Sequence, residues 1–186
     1  MEINKIIEKA ELNLERQIEW IGKHDIKTSF VAGVAIAMLG VAANLDYSIL
    51  RCTSYTIVIT LTFLLLALSL FYVYLSQFPK VNSPNHSLLF FGTIADRKLN
   101  KFQEEFKSIN EEKYLEDLLH QTHVNADIVK KKFNYLKLAL IFLLLAVIPW
   151  SFMIYKTKNQ TDGGQKIERF YKFHNPSQDQ INAIYR

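Results

Sequence analysis

Three long apolar stretches divide the chain, and none of them contains a formally charged residue. They cover residues 28–45, 55–75 and 138–155. A helix needs about 20 apolar residues to cross the hydrocarbon core of a bilayer, with a usable range of about 17–25. The pattern therefore predicts three membrane spans, at about 28–46, 54–76 and 134–156, and the short connection between the first two makes them a helical hairpin.

The first 27 residues show apolar positions at spacings of three and four, which is the pattern of one helix face. The positions are Ile3, Ile7, Ala10, Leu14, Ile18 and Ile21. The segment 1–27 is therefore predicted as an amphipathic helix. This stripe has two interpretations: the helix lies on the protein's own soluble part, or it forms a seam between subunits, because the spacing also fits a short coiled coil.

The first span carries small residues on one face, at Gly33, Ala37 and Gly40. Small residues let helix backbones approach closely in lipid, where hydrophobicity alone drives no association. These three residues are therefore predicted to form a helix-packing face, with the first span as the inner helix. The second span is bulky on all sides, so we expect it to face lipid over more of its circumference.

The central segment, 77–133, is predicted to be helical after a loop. An amphipathic helix is indicated by Leu99, Phe102, Phe106 and Ile109. A break follows, with Ser108 or Asn110 as a candidate N-cap. From Glu112 no Pro or Gly appears until Pro149, so one continuous helix is expected from Glu112 into the third span, ending near Tyr155.

The tail, 157–186, is polar, with a flexible turn predicted at 162–164 and a short strand or amphipathic segment at 166–173. The fold class that follows is an all-α membrane protein. Its parts are an amphipathic N-terminal helix, a transmembrane hairpin over 28–76, a cytoplasmic helical segment, and a long helix continuing into a third span.

The distribution of Lys and Arg predicts the orientation. Five precede the first span, one lies in the hairpin loop and nine lie between residues 77 and 133. Because positive charge accumulates on the cytoplasmic side, the N-terminus and the central segment are expected in the cytoplasm. Residues 156–186 hold six Lys and Arg, which argues against placement of the tail outside, so its side is left open.

Composition excludes several kinds of site. The net charge of +4 is small and scattered, which does not favour nucleic acid as a partner, and Cys52 is the single cysteine. No nucleophile elbow, phosphate-binding loop or dinucleotide motif is present. His120 and His123 are spaced to hold zinc, but no third ligand is evident. We therefore expect no metal, no catalytic residues and no enzyme activity.

A basic cluster beside aromatic residues is a candidate for binding an anion or a nucleotide. The cluster consists of Phe90, Phe91, Gly92, Arg97, Lys98 and Lys101. Aromatic rings stack on bases, and an arginine grips phosphate in a planar fork. The alternative is that the two phenylalanines belong to the core and the basic residues form a solvated face.

The segment WIGKHDIKTSF, residues 20–30, places charges where the chain enters its first apolar run. Trp20 and Lys27 fit an interfacial anchor. Asp25 and Lys27 are two residues apart, so they do not face each other on a helix. Asp25 is therefore predicted to pair with a basic residue of the long helix or of the Arg97 region.

Three stretches resemble the Pycsar effector family of membrane proteins. EWIGKHDIKTSFVAGVAIAMLG resembles the family's approach to the first span, with a Trp-Ile pair followed by Asp-x-Lys-x-Ser. FFGTIA resembles its Phe-Phe-Gly stretch, and YLEDLLHQTHVNADIVKKKFNYLKLAL resembles its long helix. Together they cover most of residues 17–155. His24 departs from the pattern, because family members more often have a small residue there.

The resemblance implies a bacterial anti-phage effector of the inner membrane. A partner cyclase would make a cyclic nucleotide, and a cyclic pyrimidine mononucleotide is the one most expected. This ligand would activate the effector, which then disrupts the membrane. A homo-oligomer is expected, with no cofactor beyond this ligand. The coupling or interface residues it implies are Trp20, Asp25, Lys27, Ser29, Asn125 and Lys132. The alternative function is a non-gated scaffold that docks a partner through its cytoplasmic helices.

Overall fold

The computed structural model describes residues 2–45, 53–78 and 87–174, and throughout these ranges the chain is helical with no strand. The described helices are α1 (Ile3–Ala43), α2 (Thr53–Gln77), α3 (Phe91–Ala95), α4 (Leu99–Ser108) and α5 (Glu111–His174). The all-α class is confirmed. The predicted hairpin loop after residue 45, the loop at 79–86 and the last twelve residues lie outside the described ranges.

Helix α1 runs without a break across the predicted boundary between residues 27 and 28. The sequence predicts helix on both sides of this boundary and contains no proline there, so the amphipathic segment and the first span join as one helix of 41 residues. A single rigid element therefore connects the charged N-terminal half to the apolar half.

Helix α5 begins as predicted and ends later than predicted. The Asn110 side chain accepts a hydrogen bond from the backbone N–H of Lys113 at 2.9 Å, which caps the helix. The helix then continues through Pro149 and through 162–164 to His174, 64 residues in all. The predicted turn at 162–164 and the short strand after it are wrong, because glycine only weakens a helix, by about 1 kcal/mol each, and helix-forming residues flank the pair.

The chain divides into two compact units. The first contains residues 1–34 and 68–141, and the second contains residues 35–67 and 142–186. In the first unit, Ser69 and Ser76 of α2 donate hydrogen bonds of 2.9 Å to the carbonyl oxygens of Ala139 and Lys132 on α5. The donors and the acceptors are each seven residues apart and in opposite order, so α2 and α5 pack antiparallel there.

In the second unit, the indole Nε1 of Trp150 donates a 3.0 Å hydrogen bond to the carbonyl oxygen of Met38. Tyr55 and Phe152 stack with their ring centroids 6.3 Å apart. These contacts join α1 to α5 and α2 to α5 within that unit. Aromatic side chains make these contacts because the apolar helices contain few polar side chains.

The buried positions of the three long helices recur at alternating spacings of three and four, as expected for helices packed side by side. On α1 they are His24, Thr28, Val31, Ala35, Met38 and Ala42. On α2 they are Thr62, Leu66, Ser69, Val73 and Ser76. On α5 they include Lys132, Leu136, Ala139, Leu143 and Ala146. Most of these side chains are small or polar.

The predicted packing face at Gly33, Ala37 and Gly40 is exposed. The prediction that this face packs against another helix is therefore wrong for contacts within the described chain. A Cβ atom added at Gly33 or Gly40 would meet nothing within 4 Å. The buried stripe of α1 is offset from this face by two positions, which is about 200° around the helix. Within the part of the chain that the structure describes, the small residues therefore pack against no other helix, and contact with another molecule stays a prediction.

Three of the described helices, α1, α2 and the part of α5 up to Asn159, are long and apolar enough to cross a membrane. Their outward faces carry large apolar side chains, among them Phe30, Ile57, Leu144 and Ile148, which are more than half exposed. Such a continuous apolar surface is unfavourable in water and favourable in lipid. The chain is therefore a membrane protein with three candidate spans.

The cap of α5 gives the first prediction. Asn110→Ala should lower the free energy of unfolding by about 1 kcal/mol, because it leaves a backbone N–H of the first turn without its acceptor. For a chain of this size the midpoint of thermal unfolding in detergent should fall by roughly 2–4 °C. Asn100→Ala, at an exposed site inside α4, is the control and should leave the midpoint unchanged or raise it. Equal losses in both variants would contradict the cap.

Candidate functional site

Four polar side chains from three helices meet inside the first unit, at the level where the charged part of the chain gives way to its apolar part. They are His24 and Asp25 of α1, Ser76 of α2 and Lys132 of α5, and we call them the clasp. Ionisable groups at membrane depth are costly and usually mark functional sites. The clasp is therefore the first candidate site.

The ion pair of the clasp joins α1 to α5. The ammonium of Lys132 donates to Oδ1 of Asp25 at 2.5 Å. The Lys132 side chain is only 7% exposed, whereas Asp25 is 41% exposed. The prediction that Asp25 pairs with a basic residue of the long helix is confirmed, and its partner is the last residue of the Lys130–Lys132 run.

His24 lies at the centre of the clasp with no exposed surface. Its Nδ1 lies 3.1 Å from Oδ1 of Asp25, and its Nε2 lies 2.8 Å from Oγ of Ser76 and 3.2 Å from Oγ1 of Thr28. Both ring nitrogens thus have polar neighbours. One imidazole links its own helix to α2 and stands beside the ion pair that reaches α5.

The positions of the protons follow from which groups can donate. The hydroxyls of Ser76 and Thr28 each have one hydrogen, and they direct it to the carbonyl oxygens of Lys132 and His24 at 2.9 and 3.0 Å. The Asp25 carboxylate only accepts hydrogen bonds, so its contact with His24 requires a proton on Nδ1. The role of Nε2 toward the two hydroxyl oxygens depends on the tautomer.

Aromatic rings enclose the clasp on the α5 side. Phe133 meets the ring of His24 edge-on, with centroids 5.2 Å apart, and the ring of Trp20 at 6.0 Å. The Lys27 ammonium lies 5.8 Å from the centroid of Phe133, within range of a cation–π attraction. Phe133 therefore shields the buried polar groups and holds the two anchor residues of α1.

The other implied coupling residues lie outside this network. The Ser29 hydroxyl donates to the carbonyl oxygen of Asp25 at 2.9 Å, a bond within its own helix. Asn125 is half-buried on α5, one heptad before Lys132. Sequence reasoning missed Ser76 and Thr28 as partners and did not place His24 at the centre. The available signal was the seven-residue spacing of Thr62, Ser69 and Ser76 along α2.

A second candidate site is a cavity of about 670 Å³ between α4 and the start of α5. Its charged walls are Arg97, Lys113, Glu105, Glu116 and Asp117, with His120 at one side. Asp117 accepts a 2.7 Å hydrogen bond from the backbone N–H of Leu88. Cavities of this volume hold small organic ligands, and the mixed charges fit a ligand with an anionic group and several hydrogen-bond donors.

The sequence-predicted nucleotide cluster is only partly assembled. Arg97 lines the cavity, bonded to the carbonyl oxygen of Ser87 at 2.7 Å and to the carboxylate of Glu105 at 3.1 Å. Phe90 and Phe91 contact each other, with centroids 4.6 Å apart. A Cβ at Gly92 would lie 2.6 Å from the Phe90 ring, so glycine is needed there for packing.

Lys98 and Lys101 are exposed and do not line the cavity. Proximity in sequence does not bring these two lysines to the same pocket as Arg97, because α4 turns them outward. Lys113 was not predicted and does line it. A basic residue in the first turn of α5, opposite an arginine, was the available signal.

No group of three or more His, Cys, Asp or Glu among residues 2–45, 55–78 and 87–159 is placed to hold a metal ion. His120 and His123 are both exposed on α5. His120 faces the cavity, where its imidazole would offer a hydrogen bond to a ligand. The expectation that the protein has no metal and no catalytic residues stays a prediction.

Fold and site together define an all-α membrane protein whose long helices are joined by a buried polar cluster, with a separate cavity between α4 and the start of α5. The sequence model of the Pycsar effector protein domain matches residues 9–156. The Pycsar effector protein GmPycTM of Gulbenkiania mobilis is 26% identical over 175 aligned residues, covering 78% of this chain and 89% of that protein. No solved structure matches the chain.

The chain therefore belongs to the Pycsar effector family, as the sequence resemblance predicts, and its role is that of an anti-phage membrane effector. The matched range includes the three spans, the clasp and the cavity. It ends at residue 156, at the start of the predicted polar tail.

The clasp gives a prediction that depends on which charge is left behind. Asp25→Ala should cost about 3 kcal/mol of unfolding free energy, because it strands a buried ammonium. Lys132→Met should cost less, because the remaining Asp25 carboxylate is partly exposed and still meets His24. The double variant should recover much of the loss. Denaturant titration in detergent measures all three.

Glu19→Ala is the control for that series, because Glu19 pairs with Lys23 at 3.1 Å on the exposed surface of α1. Such pairs contribute about 0–1 kcal/mol. A larger loss for Lys132→Met than for Asp25→Ala would contradict the assignment of Lys132 as the buried partner.

Proposed function

We propose that this effector is activated by a cyclic nucleotide, a cyclic pyrimidine mononucleotide above others, and then disrupts the bacterial inner membrane. The N-terminus and the segment from α3 to the first half of α5 are on the cytoplasmic side, where a partner cyclase releases its product. The excess of Lys and Arg in these segments supports this orientation. Growth arrest or death of the infected cell is the outcome.

The clasp is the observation that carries this proposal. It ties α1, α2 and α5 together where the cytoplasmic part of each helix meets its span. A helix is stiff, so a shift at the cytoplasmic base of α5 reaches Lys132 and strains its bonds to Asp25 and Ser76. A ligand moves such an equilibrium only by binding one arrangement better than the other.

The cavity between α4 and α5 is the proposed ligand site. A cyclic mononucleotide carries one negative charge, a 2′-hydroxyl and a base with donors and acceptors. Arg97 and Lys113 suit the phosphate, while the carboxylates of Glu116 and Asp117 suit the hydroxyl and a base amino group. Because α4 and α5 form opposite walls, a ligand there changes the spacing between them.

Lys113 tests this site. Lys113→Glu should weaken binding of the cyclic nucleotide by tenfold or more, because it replaces a positive charge beside the phosphate with a negative one. Isothermal titration of the detergent-solubilised full chain with 3′,5′-cCMP and 3′,5′-cUMP measures this. Lys130→Glu, at an exposed position on the same helix, is the control. Equal affinities in both variants would place the ligand elsewhere.

Asp25 tests the coupling. Asp25→Ala should abolish toxicity in cells supplied with the activating nucleotide, while the protein still reaches the membrane fraction. Membrane potential, followed with a voltage-sensitive dye, should collapse in the unmodified protein and hold in the variant. Asp127→Ala, in an exposed ion pair with Lys131, is the control and should remain toxic. Full depolarisation in the Asp25→Ala variant would contradict the coupling role and leave the clasp with a structural role only.

The absence of depolarisation with every cyclic nucleotide tested would remove the activation proposal as a whole. Co-purification of a stoichiometric partner protein, together with no nucleotide binding by calorimetry, would favour the non-gated scaffold instead. Calorimetric binding of the nucleotide and depolarisation of the membrane therefore distinguish the two proposals.

A further inference from the structure

An apolar groove with an acidic rim runs along α1 in the first unit. Its floor is formed by Leu14, Ile18, Leu89 and Leu118, and its volume is about 430 Å³. Its polar wall contains Glu11, Glu15, Glu19 and Tyr114. Glu15 forms no ion pair with any residue of the described chain. The groove therefore suits an apolar ridge flanked by positive charge.

Helix α4 presents such a ridge. Leu99 is 67% exposed and Phe106 is 46% exposed, and both lie on the face that also contains Phe102. Lys98 and Lys107 stand on either side of this ridge, exposed. Neither lysine forms an ion pair within the described residues. The ridge is thus complementary to the groove in shape and in charge.

We infer that the α4 ridge of one copy of this chain docks into the α1 groove of a neighbouring copy, head to tail. The partner is a second copy because the same chain supplies both complementary surfaces. Apolar contact between Leu99 or Phe106 and the floor residues Leu14 and Ile18 supplies the buried area. Contacts of Lys98 and Lys107 with Glu11 and Glu15 set the register.

The two surfaces lie at the same level along the first unit. The hydroxyl of Tyr114 donates to the Glu11 carboxylate at 2.9 Å, and Lys132 meets Asp25 further along, so α1 and α5 run parallel. Helix α4 shares its cavity with residues 113–120 of α5, which is the level of the groove. Two copies in one membrane therefore present ridge and groove at matching heights.

The surfaces also point in different directions. Leu118 lines the groove and His120 lines the cavity beside α4, and two helical positions differ by about 200°. One chain can therefore use its ridge and its groove at the same time. A head-to-tail contact of this kind builds rings or open arrays rather than closed pairs.

Lipid does not account for these surfaces. Along α1 the groove residues from Glu11 to Glu19 lie about 9–21 Å before Asp25, and on α5 Tyr114 lies about 27 Å before Lys132, at 1.5 Å per residue. The clasp itself marks the start of the apolar run. The acidic rim of the groove would also repel anionic headgroups.

Cross-linking between tagged copies tests the contact. In a Cys52→Ser background, a chain with Ile18→Cys and a chain with Leu99→Cys are co-expressed with different tags. Membranes are treated with a short bis-maleimide, without added nucleotide. We expect a covalent dimer that carries both tags, and little cross-linking when either chain is expressed alone.

A chain with Asp127→Cys replaces the Leu99→Cys chain as the control and should not cross-link to Ile18→Cys. Strong cross-linking of the Ile18→Cys chain to itself would overturn the head-to-tail contact in favour of a symmetric one. The absence of any mixed dimer would overturn the contact itself.

Charge reversal supplies a second test at exposed positions. Glu15→Lys or Lys98→Glu alone should reduce the mixed cross-link by about three- to tenfold. When both chains carry both changes, the mixed cross-link should return, because the charges across the contact are again opposite. Failure of the restored pair to recover, with each single variant impaired, would overturn the proposed register.

Discussion

The buried ammonium of Lys132 is the constraint on which the arrangement of the three long helices depends. A charge that is 7% exposed must be matched, and Asp25 matches it from α1 while His24 and Ser76 extend the network to α2. An unmatched charge there would cost several kcal/mol. The three helices are therefore fixed relative to one another at this level. Seven residues away on α2, Ser69 makes the same kind of bond to an α5 carbonyl as Ser76 does, so the two helices keep the same register.

Small and polar side chains do what bulky apolar ones cannot do in lipid. Leucine gains nothing by leaving lipid for another leucine, so helix association there depends on close packing and hydrogen bonds. The buried stripe of α2 contains Ser69 and Ser76, which bond to α5, together with Thr62, Leu66 and Val73, while Ile57, Leu61, Leu64, Phe71 and Tyr74 are exposed. The sequence prediction that α2 mostly faces lipid is compatible with this, but the hydroxyl stripe is what holds it.

Some of this could be read from the sequence because it depends on local properties. Span length, the N-cap at Asn110 and the outward pairing of Asp25 follow from hydropathy, hydrogen-bonding chemistry and helix geometry. The choice between two small-residue stripes on α1 could not be read in this way. Gly33 and Ala37 fit close packing as well as Ala35 and Ala42 do, and only the position of the other helices decides which stripe is buried.

The same limit explains the cavity. Phe90, Phe91 and Lys98 are close to Arg97 in sequence, but the two phenylalanines stand at the start of α3, whereas Arg97 and Lys98 lie in the connection to α4. Arg97 is turned inward by Ser87 and Glu105, and the residue that joins it at the cavity, Lys113, comes from the next helix. Because α5 carries both Lys113 and Lys132, the cavity and the clasp share one helix. The proposed activation uses this shared helix to carry a change in the spacing of α4 and α5 to the buried ion pair.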